Sequence, residues 1–240
     1  MRLTRVYVPN TLLGVDQNVT LDKATTKHLQ KVLQLRQGDH CILFNGDGRE
    51  YTAQIQSSAS EVVIKAVASV ERESPLHITL VQGIARGEKM DFILQKATEL
   101  GVNAIFPVYT HHSQVKLDTK RAHARYIHWS GVIASACSQS GRATLPTLSE
   151  ICPLDRIAEH LPKESKRLML CPNAQLRFGS CEKHRRYTLA VGPEGGLSER
   201  DTTVLSAAGF DGVTIGPRIL RTETAALAAI SALQTKWGDF

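Results

Sequence analysis

Leu189-Ala190-Val191-Gly192-Pro193-Glu194-Gly195-Gly196-Leu197-Ser198-Glu199 and Ile215-Gly216-Pro217-Arg218-Ile219-Leu220-Arg221-Thr222-Glu223-Thr224-Ala225 are built alike. Each runs from an apolar strand through a Gly/Pro loop into a helix start. Glycine lacks a Cβ, so Gly192, Gly195 and Gly196 let a ligand meet backbone N–H and C=O groups closely. Ser198 reads as the N-cap of one following helix and Thr222 as the N-cap of the other. Ligands of open α/β sheets collect at the carboxyl ends of strands, where both loops lie. As generic patterns the loops have two readings: tight strand–helix turns, or two walls of one nucleotide-like crevice. Neither GxGxxG after the first α/β strand nor GxxxxGK[ST] is present, so a nicotinamide or P-loop site lacks its fingerprint.

Working outward, the pattern N-terminal to Pro75 differs. Arg5–Val8 reads as a strand, Ala24–Leu35 as a short helix with Leu29, Val32 and Leu33 on one face. His40–Phe44 and Tyr51–Ile55 flank the turn Asn45-Gly46-Asp47-Gly48, a hairpin signature, and Val62–Val67 adds a strand. Short strands with one helix predict a small barrel over residues 1–72. From 73 to 240 strands and helices alternate: strands at 76–81, 102–108, 167–171, 187–191 and 213–215, helices at 90–100, within 118–138, at 199–208 and at 223–237. Gly101 and Gly209 stand where C-terminal caps are expected. The alternation predicts α/β architecture with a mostly parallel sheet.

Hydrophobic residues make up 42% of the 240 and charged residues 22%, ordinary for a chain with a buried core. No apolar run has the length of a membrane span, and Met1-Arg2-Leu3-Thr4-Arg5 lacks the apolar segment of a signal peptide; the cytoplasm is the expected location. The five cysteines show no CxxC spacing and read as reduced thiols. His111 and His112 lack a carboxylate or Cys at ligand spacing, and His123 and His128 are five apart, so no metal is expected. The net charge of +6 is concentrated between residues 115 and 186, with 13 Lys/Arg against 6 Asp/Glu. Such a middle suits a polyanion held by its phosphates, or a solvated basic surface.

Together, Gly192-Pro193-Glu194-Gly195-Gly196 and Ile219-Leu220-Arg221-Thr222-Glu223-Thr224-Ala225 resemble the RsmE-type family of 16S ribosomal RNA uridine N3-methyltransferases, in the SPOUT superfamily. The resemblance includes Lys96-Ala97-Thr98-Glu99-Leu100-Gly101-Val102, Gln139-Ser140-Gly141-Arg142, Arg5-Val6-Tyr7-Val8, and His28-Leu29-Gln30-Lys31-Val32-Leu33 with Gly38-Asp39 after it. It implies a PUA-like β-barrel that holds RNA and a SPOUT methyltransferase domain with a deep trefoil knot. It also implies a homodimer acting on the small ribosomal subunit, and S-adenosyl-L-methionine cupped by backbone at Leu170-Cys171-Pro172, Gly192 to Gly196, and Ile215-Gly216 with Ile219-Leu220. Ala225, Ala226, Ala228 and Ala229 suit close helix packing between subunits, or burial within one.

The resemblance makes Arg221 the group that stabilises charge on the uracil oxygens. Glu223 is the candidate base or the residue that orients Arg221, although a carboxylate at a helix start also gains from the macrodipole. Arg142, with Gln139, is expected at RNA phosphate or the target base, with a loop arginine packing structurally as the alternative; Arg5 is expected to contact RNA or else to brace the two domains. Two positions depart from the family: Ser138 stands where Glu is common, and His112 where Arg is usual. Other readings are a SPOUT methyltransferase acting on a tRNA base or ribose 2′-hydroxyl, and a non-catalytic RNA-binding or ribosome-assembly protein.

Overall fold

The computed structural model describes residues 3–9, 14–32, 34–57, 60–113 and 117–240, with Val32 described by its backbone alone. Two compact units emerge: residues 1–73 with 134–145, and residues 74–133 with 146–240. The first unit therefore takes a segment from beyond any single boundary near residue 72.

In the first unit, β1 (Arg5–Tyr7), β2 (Asn18–Thr20), β3 (His40–Phe44), β4 (Arg49–Ile55) and β5 (Glu61–Ser69) form one sheet in the order β1-β3-β4-β5-β2. The hairpin is β3–β4, with His40 opposite Gln54. Alternate residues of β4, Tyr51, Ala53 and Ile55, are buried beside Leu43 and Ile64. Val6 of one edge strand and Val19 of the other share this core, so the sheet curls around it. The expected helix divides into α1 (Lys23–Lys27) and a π-helical turn, His28–Val32. Asp22 caps α1, accepting from Ala24 N and Thr25 N at 2.8 and 2.9 Å. Leu29 of the expected apolar face is fully buried. The Val32 side chain, Leu33, Met1 and Arg2 lie outside the described residues.

The second unit begins with β6 (His77–Gly83), α2 (Glu88–Glu99), β7 (Ala104–Tyr109) and α3 (Thr119–Ser140), whose last turns belong to the first unit. Next come β8 (Thr147–Leu148), β9 (Cys152–Pro153), β10 (Lys166–Leu170), β11 (Leu176–Arg177) and β12 (Arg186–Val191). The chain finishes with α4 (Glu199–Ala207), β13 (Asp211–Thr214) and α5 (Thr222–Trp237). The strand order is β11-β13-β10-β12-β6-β7-β8, with β9 also beside β7, and every pairing is parallel. Sequence pattern located the long strands; β8, β9 and β11 are two residues each and leave no periodicity to read.

Val81, Val108, Met169 and Ala190 pack with Leu205 of α4, Phe210 and the 3-10 turn Leu154–Glu159. α2 packs against α5, and α5 against β12. Ala226 and Ala229 are fully buried within this chain, whereas Ala225 and Ala228 are half-buried. Gly101 sits at φ 83° just beyond α2, the left-handed conformation its place predicts. Among the described residues no helix is long and apolar enough to cross a membrane.

Candidate active site

Because β13, β10 and β12 are neighbours and parallel, their carboxyl ends open at one edge. Leu170 is in register with Val213, and Met169 with Ala190. At that edge a cavity of about 650 Å³ opens, within the size range of small-molecule and cofactor sites. Every position expected to touch the cofactor lies on its wall: Leu170-Cys171-Pro172, Gly192 to Gly196, Ile215-Gly216 and Ile219-Leu220. Arg221 lies there too. Its side chain is exposed, and among the described residues it makes no ion pair or side-chain hydrogen bond. Ile219 is 84% exposed, the most exposed large apolar residue of the described chain.

The loop after β12 has little freedom. A Cβ on Gly192 would fall 2.7 Å from Gly196 C and 2.8 Å from Leu197 N, and Gly196 adopts φ +70°. Ser198 caps α4 as the sequence predicts, in a reciprocal capping box with Asp201. Asp201, 4% exposed, accepts from Ser198 N and Oγ at 2.9 and 2.8 Å through Oδ2, and from His111 N at 3.0 Å through Oδ1. It thereby ties the turn after β7 to the start of α4. His112 Nδ1 lies 2.9 Å from the Gly195 carbonyl; a carbonyl only accepts, so the ring donates. His112, where the family usually carries Arg, thus holds the glycine loop.

Glu194 Oε1 accepts from Arg86 N at 3.1 Å and lies 3.3 Å from Lys89 Nζ. Burial pulls this carboxyl up, but hydrogen bonds from its own backbone and from Arg86, with Lys89, outweigh it and hold the group below the usual carboxylate range. Glu194 is consequently an anionic strut of the wall.

Three expectations change. Thr222 is not an N-cap: Arg221 holds that place with no side-chain cap hydrogen bond, and Thr222 opens the helix with its hydroxyl donating 2.6 Å to the Gly192 carbonyl. Glu223 does not line the cavity and forms no ion pair with Arg221; its Oε2 is buried without a hydrogen-bond partner among the described residues. Arg5 and Arg142 are buried in the first unit, 8% and 4% exposed, and do not present their guanidinium groups to solvent. Arg142 grips Glu73 through Nε and Nη2 at 3.0 and 2.5 Å. Arg5 pairs with Glu50 and donates to the Arg142 carbonyl at 2.9 Å. Arg72 bonds Glu50 and the Gly141 carbonyl. Gln139 is exposed, and Ser138 Oγ donates within its helix to Ala134 O.

Sequence reasoning passed over Lys89 and Glu199 on the cavity wall, and Gln82, which bonds the wall residue Thr222. The signal for Gln82 was an amide following Ile78-Thr79-Leu80-Val81 at a strand end, directly before Gly83. Lys89 comes from another helix and carried none.

A family model described as an RNA methyltransferase domain matches residues 72–234, and one described as an RNA methyltransferase PUA domain matches residues 21–67. The ribosomal RNA small subunit methyltransferase E of Buchnera aphidicola (subsp. Schizaphis graminum) is 32% identical over 99% of this chain and 98% of its own. The chain belongs to the RsmE-type RNA methyltransferase family. A crystal structure of an RsmE-type enzyme, the ribosomal RNA small subunit methyltransferase E of Neisseria gonorrhoeae bound to S-adenosylmethionine, shares 40% identity, covers 100% of both chains and superposes with a TM-score of 0.91. A Legionella pneumophila methyltransferase in complex with the same cofactor shares 37% identity, again over 100% of both chains, with a TM-score of 0.92. The RsmE-type fold accounts for both units: a curled PUA-like sheet and an α/β SPOUT methyltransferase domain. Among the described residues no group of three His, Cys, Asp or Glu could hold a metal ion.

Proposed function

We propose that this protein transfers a methyl group from S-adenosyl-L-methionine to N3 of a uridine in 16S ribosomal RNA of the small subunit, in the cytoplasm and as a homodimer. The first unit is the RNA-holding part and the second performs the transfer. The observation that carries the reading is the cavity at the ends of β10, β12 and β13, with an exposed Arg221 on its wall that makes no ion pair among the described residues. The wall fits the cofactor: glycine backbone without side chains at Gly192, Gly195, Gly196 and Gly216, apolar Leu170, Ile215 and Leu220, and polar edges at Lys89 and Glu194. Relatives named as ribosomal RNA methyltransferases, one of them solved with this cofactor, and a Legionella pneumophila methyltransferase also solved with it, support it.

When bound, the cofactor supplies an electrophilic methyl on a sulfonium. Uridine N3 keeps its proton at neutral pH, so the nucleophile forms only where that proton passes to water and the uracil anion left behind is stabilised. Arg221 presents planar N–H donors for the oxygens flanking N3. The glycine loop fixes the wall opposite, converting binding into alignment. Glu223, off the wall, serves the positive end of α5 rather than the chemistry.

Calorimetric titration with S-adenosylmethionine is expected to show one site per chain, and 16S ribosomal RNA from a strain lacking this gene is expected to lose one N3-methyluridine by mass spectrometry. No cofactor binding, or full retention of that nucleoside, removes the reading.

The thiols offer a local probe. Burial pushes Cys41 and Cys137 up to about 11, leaving them inert near pH 8, while Cys152 and Cys171 are half-buried with smaller upward shifts from burial. Cys171 lines the cavity and Cys152 does not. Iodoacetamide labelling followed by peptide mass spectrometry is expected to modify both, with saturating S-adenosylmethionine slowing Cys171 alone. Equal protection of the two thiols, or of neither, contradicts the placement.

A further inference from the structure

Gln82, the penultimate residue of β6, is fully buried and lies in register with Val191, immediately before the glycine loop. Its Nε2 donates to the Gly83 carbonyl and to Thr222 Oγ1, both at 2.9 Å. A backbone carbonyl only accepts, which fixes the amide orientation. Thr222 Oγ1 therefore accepts from Gln82 and spends its own proton on the Gly192 carbonyl, 2.6 Å away. This two-step relay joins a central strand, the first residue of the glycine loop and the first turn of α5. Arg221 is the residue directly before Thr222.

The amide is held at a cost. Gln82 Oε1 is buried without a hydrogen-bond partner among the described residues, and an unmade buried hydrogen bond is unfavourable where an apolar side chain would incur no such loss. Neighbouring Ile78, Leu80 and Val81 are buried and apolar; Thr79, also fully buried, leaves its hydroxyl oxygen without a partner among the described residues, whereas the Gln82 amide nitrogen makes two hydrogen bonds. An amide in such surroundings is explained by what its N–H groups hold. Among the described residues the Gly192 carbonyl, at the start of the loop, accepts a side-chain hydrogen bond from Thr222 alone, and Thr222 Oγ1 accepts one from Gln82 alone.

We propose that Gln82 is a positioning residue of the methyl-transfer site: through Thr222 it locks the Gly192 carbonyl and the start of α5, setting Arg221 against the glycine loop. The inference rests on the cofactor site proposed above. Neither Gln82 nor its amide touches the cavity, so its effect is felt in cofactor affinity and turnover and not in RNA capture.

Four variants of the full-length chain test it: Gln82→Leu, Thr222→Val, their double combination, and Thr222→Ser. S-adenosylmethionine affinity is read by calorimetry, kcat and the RNA KM by methylation of ribosomal RNA, and folding by the thermal midpoint. Gln82→Leu and Thr222→Val are each expected to weaken cofactor binding and lower kcat by about tenfold, the worth of a buried hydrogen bond, with the RNA KM within about twofold. The double variant is expected to be no worse than either single one, because both cut one relay. Thr222→Ser, which restores the hydroxyl, is expected to recover most of the loss. Comparing Val with Ser at 222 reads the relay even if Gln82→Leu does not fold. Additive losses, equal behaviour of Ser and Val, or normal affinity in Gln82→Leu beside a cofactor-binding wild type overturns the inference alone. A wild type that binds no S-adenosylmethionine overturns the underlying site and the inference with it.

Discussion

Arg221→Ala is expected to lower kcat for RNA methylation by about a hundredfold to a thousandfold, the range seen when one preorganised donor is removed from a developing anion. Cofactor affinity and thermal midpoint should change little. The side chain is exposed, forms no ion pair among the described residues, and caps α5 through backbone alone, its carbonyl accepting from Ala225 N at 2.8 Å. Alanine at that place forfeits no cap hydrogen bond, and a surface change of this kind is usually within about 0.5 kcal/mol. Arg221→Lys keeps the charge but loses the planar fork, so it should fall between the two. Glu223→Gln is the contrast: off the cavity wall, it should keep turnover within about threefold, the scale of a helix-start charge. Single-turnover kinetics with calorimetry separates the outcomes. Full activity in Arg221→Ala removes that residue from the chemistry; a loss in Glu223→Gln as deep as in Arg221→Ala restores Glu223 as the base.

How far these residues could be read in advance depended on the range of their partners. The glycine loop was legible because its determinants are local: strand end, Gly/Pro punctuation and the Ser198 cap fall within a few residues. The capping partner Asp201 was equally local, three residues on. Alternation of strands and helices gave the α/β class but not the order β13-β10-β12-β6, which alone brings 170, 192 and 215 to one edge. Thr222 read as a cap because nothing near it competes for its hydroxyl; the competitor is Gly192, thirty residues away. Arg5 and Arg142 point to RNA through the family motifs that contain them, and the sequence near either one shows no partner that would decide for the alternative, a bracing or packing arginine. Their partners are the Arg142 carbonyl, 137 residues from Arg5, and Glu73, 69 residues from Arg142. A contiguous boundary near residue 72 is likewise the only kind a linear reading yields, whereas residues 134–145 fold with the first unit.

That segment supports the second large effect. Arg142→Met is expected to destabilise the first unit by about 3 kcal/mol, the lower part of the range for breaking a buried ion pair from one side. The lower part applies because 28% of the Glu73 side chain stays in water, against 5% for Arg142. Both Arg142–Glu73 contacts form a planar fork, so methionine fills much of the volume but leaves the carboxylate without its charge partner. Glu73→Met added to Arg142→Met removes the orphaned charge and should recover most of the loss. Hydrogen exchange read by mass spectrometry should localise the single variant's effect to β1, β4 and residues 134–145, where Arg5, Arg72, Glu50 and the carbonyls of Gly141 and Arg142 interlock. An arginine that instead grips RNA phosphate gives a different set of results. Stability would hold, the slope of log affinity against log salt would fall by about one, and Glu73→Met would rescue nothing. The buried fork predicts the reverse in each respect: lost stability, an unchanged salt slope in the rescued double variant, and a first unit whose integrity, rather than its charge, depends on Arg142.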